Sequence, residues 1–264
     1  GSTGLLWGLG YRAARKSPPG ITHVEVPLEN LPPAFDGYRI AQISDLHIGA
    51  AILRKQEVSA IVGAVTSEKP DLIALTGDLA DGYARELRGD ASPLAGLTAP
   101  DGKFFVSGNH EYYWDPVGWF AEVEHLGFTH LVNEYRVLRR GEARLVLAGV
   151  PDISARSAGF DYRSDPEAAL RGAPEGVRKI LLAHQPRSLP AAQRVGFDLQ
   201  LSGHTHGGQY WPWTWAIHLF QPVSVGLHRF GKTWIYVNRG TGTWGPPLRL
   251  GMPGEITLLT LRRA

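Results

Sequence analysis

Five short apolar runs dominate the sequence, and each breaks off in the same way. Residues 38–44 alternate and then meet Asp45-Leu46-His47. Residues 71–76 meet Gly77-Asp78, and residues 103–107 meet Gly108-Asn109-His110-Glu111. Residues 179–183 meet His184, and residues 197–202 meet Gly203-His204-Thr205-His206. Apolar runs of strand length, closed by glycine or a polar residue, read as strands. Helical spacing lies between several of them. Val58, Ile61, Val62 and Val65 follow i, i+3, i+4, i+7 until Pro70 stops the pattern. Asp115-Pro116 is an N-cap with proline at the first helical position, followed by Val117, Phe120 and Val123 on one face and closed by Gly127. Asp165-Pro166 and Ser188 open two further short helices, and more strands are expected at residues 24–26, 145–148, 234–238 and 256–261. The alternation predicts an α/β layered fold, with central mixed β-sheets stacked as a β-sandwich and flanked by helices. The 264 residues suffice for one large domain over residues 21–264, preceded by an N-terminal arm over residues 1–20.

In open α/β sheets, ligands bind beyond the carboxyl ends of the strands. The five breaks therefore deliver Asp45, His47, Asp78, Asn109, His110, His184, His204 and His206 to one rim. That set is two carboxylates, one amide and five imidazoles. The chain has ten histidines and no cysteine, so a thiolate site, a disulfide and a cysteine nucleophile are all excluded. Mixed nitrogen and oxygen donors suit zinc, manganese or iron rather than the oxygen-only sites of calcium and magnesium.

The five blocks, in this order and each at a strand end, resemble the calcineurin-like metallophosphoesterase superfamily. Ile43-Ser44-Asp45-Leu46-His47, Gly203-His204-Thr205-His206-Gly207-Gly208-Gln209, and Arg239-Gly240-Thr241-Gly242 followed by Trp244-Gly245-Pro246-Pro247 resemble its bacterial membrane-associated branch. The resemblance implies two divalent transition-metal ions (Mn, Zn or Fe). One would take Asp45, His47, Asp78 and His206, the other Asp78, Asn109, His184 and His204, with Asp78 bridging. It implies hydrolysis of a phosphomonoester, phosphodiester or pyrophosphate by a metal-bridging hydroxide, with His110 as general acid to the leaving group. A lipid-linked or cell-envelope substrate follows from the same branch. A nuclease or cyclic-nucleotide phosphodiesterase is the alternative on the same site, and a metal-free scaffold the alternative without chemistry. The net charge of +2, from 27 basic and 25 acidic residues, supplies no basic stripe for nucleic acid. Every ligand position is filled, which argues against a scaffold.

Other residues carry two readings each. Asp81 and Glu111 cap loops or orient ligands. Arg239 either binds a phosphate oxygen or makes a structural salt bridge. His23, His125, His130, His218 and His228 stand outside the motifs and read as structural. Trp211, Trp213 and Trp215 recur with period two, as an aromatic cluster under a loop or as a peripheral membrane contact. Leu5-Leu6-Trp7-Gly8-Leu9, followed by Arg12, Arg15 and Lys16, is a solvated arm or the end of a membrane segment with its basic flank. The second reading makes this chain the soluble part of a longer membrane-associated protein, with the cytoplasmic face preferred.

Overall fold

Strands buried on both faces send alternate side chains into two different cores, and this chain has two sheets of such strands. The computed structural model describes residues 8, 18–50, 53–210, 213–217, 221 and 223–264. The strands are β1 (Gly20–Leu28), β2 (Arg39–Ile43), β3 (Leu72–Leu75), β4 (Lys103–Phe105), β5 (Thr129–His130), β6 (Glu134–Arg140), β7 (Ala143–Gly149), β8 (Arg178–Leu182), β9 (Leu199–Ser202), β10 (Gly226–Phe230), β11 (Thr233–Val237) and β12 (Glu255–Arg263). The helices are α1 (Lys55–Ser67), α2 (Ala84–Ala91), α3 (Asn109–Trp114), α4 (Pro116–His125), α5 (Leu189–Arg194) and α6 (Trp213–Ala216). One six-stranded sheet has the order β1-β12-β2-β3-β4-β5 and the other the order β10-β11-β9-β8-β7-β6.

In the first sheet β2 to β5 run parallel, while β12 pairs antiparallel to β2 and parallel to β1. In the second, β7, β8, β9 and β11 run parallel and the edge strands β6 and β10 are antiparallel. Ile40, Leu72, Ala74 and Phe104 of the first sheet pack against Leu145, Leu147, Ile180, Leu182 and Leu201 of the second. Their strand neighbours Ala41, Ile43, Ile73, Leu75 and Phe105 face outward beneath Val58, Ile61 and Val65 of α1 and Trp119 and Val123 of α4. On the far side, Val146, Ala148 and Leu181 pack with Ala192 of α5 and with Phe197. The result is the expected mixed β-sandwich between helical layers. A side-chain link joins the sheets at one rim: Gln42 Nε2 donates to Thr76 Oγ1 and to Ser202 O, each at 2.9 Å.

The expected strands and the helices at Val58 and Ser188 are present. Asp115 caps α4, its Oδ1 accepting Gly118 N–H at 3.1 Å. The helix expected at Asp165 is a single 3-10 turn, Ala168–Leu170. Asp165 Oδ1 does accept Ala168 N–H at 3.0 Å, but Gly172 at φ +76° and then Pro174 end the turn. Among the described residues no helix is long and apolar enough to cross a membrane. The arm over residues 1–20 lies almost wholly outside the described residues.

His130 ends β5 against Phe105 and Phe120, with ring centroids 5.1 and 4.5 Å away. Its Nε2 is buried without a hydrogen-bond partner among the described residues. Burial pulls the imidazole down to about 4. The unfolded chain therefore binds one more proton than the folded chain between about pH 4 and 6.5, so stability falls as pH falls through that window and is unaffected above it. We expect wild type to lose about 1–2 kcal/mol more than His130→Phe between pH 7 and pH 5, measured by urea unfolding. Equal losses would assign the acid sensitivity to other groups.

Candidate metal centre

The parallel strands aim their carboxyl ends at the linked rim, and the polar residues follow immediately. Asp45 and His47 leave β2, Asp78 leaves β3, Asn109 and His110 open α3 after β4, His184 leaves β8, and His204 and His206 leave β9. Five of these residues, Asp45, His47, Asp78, His204 and His206, have φ between +48° and +71°. Non-glycine residues adopt this left-handed conformation only when their surroundings over-determine it. Here the backbone does so: Asp45 N–H donates to Gly77 O (3.0 Å), His47 N–H to Asp78 O (3.1 Å), and Gly242 N–H to Asp45 O (2.9 Å). His204 N–H also donates to the Asp45 carboxylate, at 3.0 and 3.1 Å to its two oxygens. Two glycines allow this close approach. A Cβ on Gly108 would strike the Asp78 carboxylate, and one on Gly203 would strike Ser44 Oγ and Asp45 Oδ2.

The donor atoms converge in three groups, of which His47, Asp81 and His110 form one and the other two hold expected ligands. Asp45, His47 and His206 place ligand atoms within 4.8 Å of one another, and so do Asp78, His184 and His204. His47 Nε2 and His206 Nε2 are 3.0 Å apart, and His206 Nε2 lies 3.4 Å from Asp45 Oδ1. His184 Nε2 lies 3.2 Å from Asp78 Oδ2 and 3.2 Å from Asn109 Oδ1. Asp78 Oδ2 also lies 3.9 Å from His47 Nε2, which sets this carboxylate between the groups. All seven side chains expected to ligate are therefore brought together.

A second ring orients them. His184 Nδ1 donates to Thr76 O at 2.7 Å, and His47 Nδ1 to Asp81 Oδ1 at 2.9 Å, so both rings turn Nε2 inward. Asp81 Oδ1 also accepts from His110 Nδ1 at 2.6 Å, while His110 N–H donates to Asp78 Oδ1 at 2.9 Å. Glu111 accepts three backbone N–H groups, from Gly108 (2.6 Å), Asp78 (3.1 Å) and Leu79 (2.7 Å), and so ties the loop after β4 to the loop after β3. Both acids do the orienting and capping expected of them.

Burial disfavours ionised Asp78, yet the imidazoles of His184, His47 and His110 outweigh it and hold the carboxyl well below its usual range. Burial raises Asp45. Burial, followed by the charge of His184, pulls His204 down to about 3, and burial with His47 and Arg249 holds His206 far below the ordinary imidazole value. His110 goes the other way: burial opposes its charged form, but the hydrogen bond to Asp81 and the charges of Asp78 and Asp81 raise it. Asp81 is held down to about 2, its hydrogen bonds from His110 and His47 outweighing burial. Imidazoles facing buried carboxylates, with the outer nitrogens of His47 and His184 already engaged, form a donor set that fits a divalent cation.

Arg239 takes the structural role. Its Nε and Nη2 donate to Glu255 Oε2 at 2.9 and 2.5 Å. Three residues at the site went unrecognised in the sequence. Arg249, 2% exposed, donates to the carbonyls of Gly240, Gly242 and Met252 and lies 3.2 Å from His206 Nδ1. Asp152 accepts Gln185 Nε2 at 3.2 Å beside His184, and its own N–H donates to Ser107 Oγ at 3.3 Å. Gln209 pins Trp244 through two hydrogen bonds. Asp152 carried a signal, since it follows the apolar residues of β7, and Gln209 closes the block that begins at Gly203, although its contact with Trp244 did not show there. Trp211 and the side chain of Trp213 lie outside the described residues, while Trp215 is 70% exposed.

The sequence matches the calcineurin-like phosphoesterase family over residues 38–208. It is 38% identical over 255 residues to the "Transmembrane protein with metallophosphoesterase domain" of Danio rerio, covering 94% of this chain and 58% of that protein. It is 30% identical over 274 residues to the "Uncharacterized metallophosphoesterase YkuE" of Bacillus subtilis, covering 98% of this chain and 92% of that protein. The chain thus spans little more than half the length of the zebrafish relative. Among solved structures, a Thermus thermophilus sulfate thiohydrolase SoxB shares the fold, with a TM-score of 0.55 and 16% identity over 88% of this chain and 58% of that one. The chain belongs to the calcineurin-like phosphoesterases, a family of metal-dependent phosphoester hydrolases.

Proposed function

We propose that residues 21–264 form a phosphoesterase domain that works with two divalent transition-metal ions, manganese, zinc or iron. One is held by Asp45, His47, Asp78 and His206 and the other by Asp78, Asn109, His184 and His204. The observation that carries this reading is the pair of donor triads, one containing the buried Asp78 carboxylate and the other reaching to within 3.9 Å of it through His47 Nε2. Ions bound there supply Lewis acidity toward the phosphoryl oxygens and a nucleophilic water. The chain's own residues do the rest. Asn109 adds an oxygen donor without charge. His110 lines the cavity over the triads, with its Nδ1 tied to Asp81, so its other nitrogen is free to give a proton to the leaving alkoxide. Its raised affinity for that proton suits the role.

The finer reading is a lipid-linked or cell-envelope phosphoester, with peripheral membrane contact through Trp211, Trp213 and Trp215. Support comes from the exposure of Trp215 and from a relative named as a transmembrane protein. A nuclease or cyclic-nucleotide phosphodiesterase reading is disfavoured because no lysine or arginine among the described residues lines the cavity.

Metal analysis should find about two transition ions per chain. Chelation should abolish hydrolysis of bis-p-nitrophenyl phosphate and p-nitrophenyl phosphate, and added metal should restore it. A chain that hydrolyses neither ester at full metal load is not a phosphoesterase. His110→Ala should keep its metal and lose about 10²–10⁴ in kcat, most severely for alkyl leaving groups. An unchanged kcat on an alkyl ester would remove His110 from the acid role. Glu111→Gln turns an amide N–H toward backbone N–H groups. It should cost about 2 kcal/mol of stability and lower metal occupancy, read by thermal unfolding and elemental analysis.

A further inference from the structure

The cavity above the donor triads is larger than a phosphoryl group requires. It encloses about 500 Å³, a volume typical of sites for drug-sized ligands. Away from the metal side its wall includes Tyr113, Tyr210, Ile217 and Trp244, and no lysine or arginine among the described residues contributes to it. The aromatic residues come from different parts of the chain. Tyr113 lies on α3 one turn beyond His110, and the two ring centroids are 5.3 Å apart. Trp244 lies on the loop after β11.

Trp244 is presented, not merely exposed. Trp244 is 51% exposed, as Tyr113 is 66% exposed, yet its backbone is clamped on both sides. Gln209 Nε2 donates to Trp244 O at 2.7 Å, and Trp244 N–H donates to Gln209 Oε1 at 2.9 Å. Gln209 is itself 3% exposed, is held at φ +50°, and accepts Leu250 N–H on its carbonyl at 2.9 Å. A fixed backbone that keeps a large apolar ring in water is unfavourable unless the ring is covered in use.

We infer that Tyr113 and Trp244 form the subsite for the leaving alcohol, that this alcohol carries an apolar chain, and that Gln209 positions Trp244 for it. The inference rests on the phosphoesterase reading and adds the identity of the group that departs. Position supports it first. The oxygen that leaves must lie beside His110 to receive its proton, so the carbons attached to that oxygen start next to Tyr113. Chemistry supports it second. A leaving group with further phosphates would find no lysine or arginine of the described residues in this wall, whereas a hydrocarbon chain finds Ile217 and the rings of Tyr113, Tyr210 and Trp244. In the step, water adds its oxygen to phosphorus and the P–O bond to the chain breaks. The bonding electrons leave on the alcohol oxygen, His110 protonates it, and a proton from the water restores His110. The products are the free alcohol and the phosphate.

The test uses metal-loaded chain and a series of methyl, butyl and octyl phosphate esters below their micellar concentrations. Wild-type kcat/KM should rise with chain length, by up to about threefold for each methylene that becomes buried. In Tyr113→Ser and Trp244→Ser that rise should flatten to a fraction of the wild-type slope. Gln209→Ala should raise KM for the octyl ester more than for the methyl ester, with kcat changing less than KM. Calorimetry gives a readout independent of turnover: wild type should bind octylphosphonate at least tenfold tighter than methylphosphonate, and Trp244→Ser should erase most of that ratio. A flat wild-type series, or variants that keep the wild-type slope, would overturn the subsite while leaving the phosphoesterase reading intact. A wild type that cleaves none of the esters would overturn both.

Discussion

Two buried carboxylates govern this molecule. Asp45 is fully buried and Asp78 is 2% exposed, and among the described residues neither is paired with a lysine or arginine. Such groups are costly to bury without positive charge nearby. The chain meets part of the cost with His184 beside Asp78 and with the His204 N–H donated to both oxygens of Asp45. The left-handed backbone at five site residues, the side-chain-free positions at Gly108 and Gly203, and the three-fold acceptor role of Glu111 all serve that arrangement. A divalent cation completes it, because a doubly charged ion neutralises two carboxylates while leaving the imidazoles uncharged.

Much of this was legible in the sequence because the same physics writes both signals. A strand buried on both faces must be apolar, and a ligand at its end must be polar, so the boundary between them marks fold and site at once. That is why residues 71–76 followed by Gly77-Asp78 could be read as β3 and as a ligand. The signal fails where a strand is not doubly buried. Edge strand β6 carries Glu134, Arg136, Arg139 and Arg140, which suits an exposed edge and hides the strand. It also fails where a role arises only from long-range contact. Gln209 acts on Trp244 across 35 residues, and Arg249 reaches His206 across 43, with no local pattern announcing either.

The site divides its labour by element. Strand ends hold the clustered donor atoms, and they are locked from beneath by backbone hydrogen bonds. The loops after β4, β9 and β11 supply the aromatic wall. A scaffold of this kind keeps its chemistry constant while the wall varies, since Tyr113, Ile217 and Trp244 belong to neither donor triad.

The order of strands in the first sheet has a consequence for biosynthesis. β12, the last strand, lies between β1 and β2, the first two, so this sheet is open in its middle until residues Glu255–Arg263 have been made. Thr241 N–H on Ser44 O and Gly242 N–H on Asp45 O arrive just before it. A chain emerging from the ribosome therefore holds every donor residue before it can hold their geometry. Until residues 241–263 have been made, the loop bearing Asp45 lacks part of the contacts that impose its left-handed backbone, and the donor residues belong to an unfinished sheet with an exposed seam.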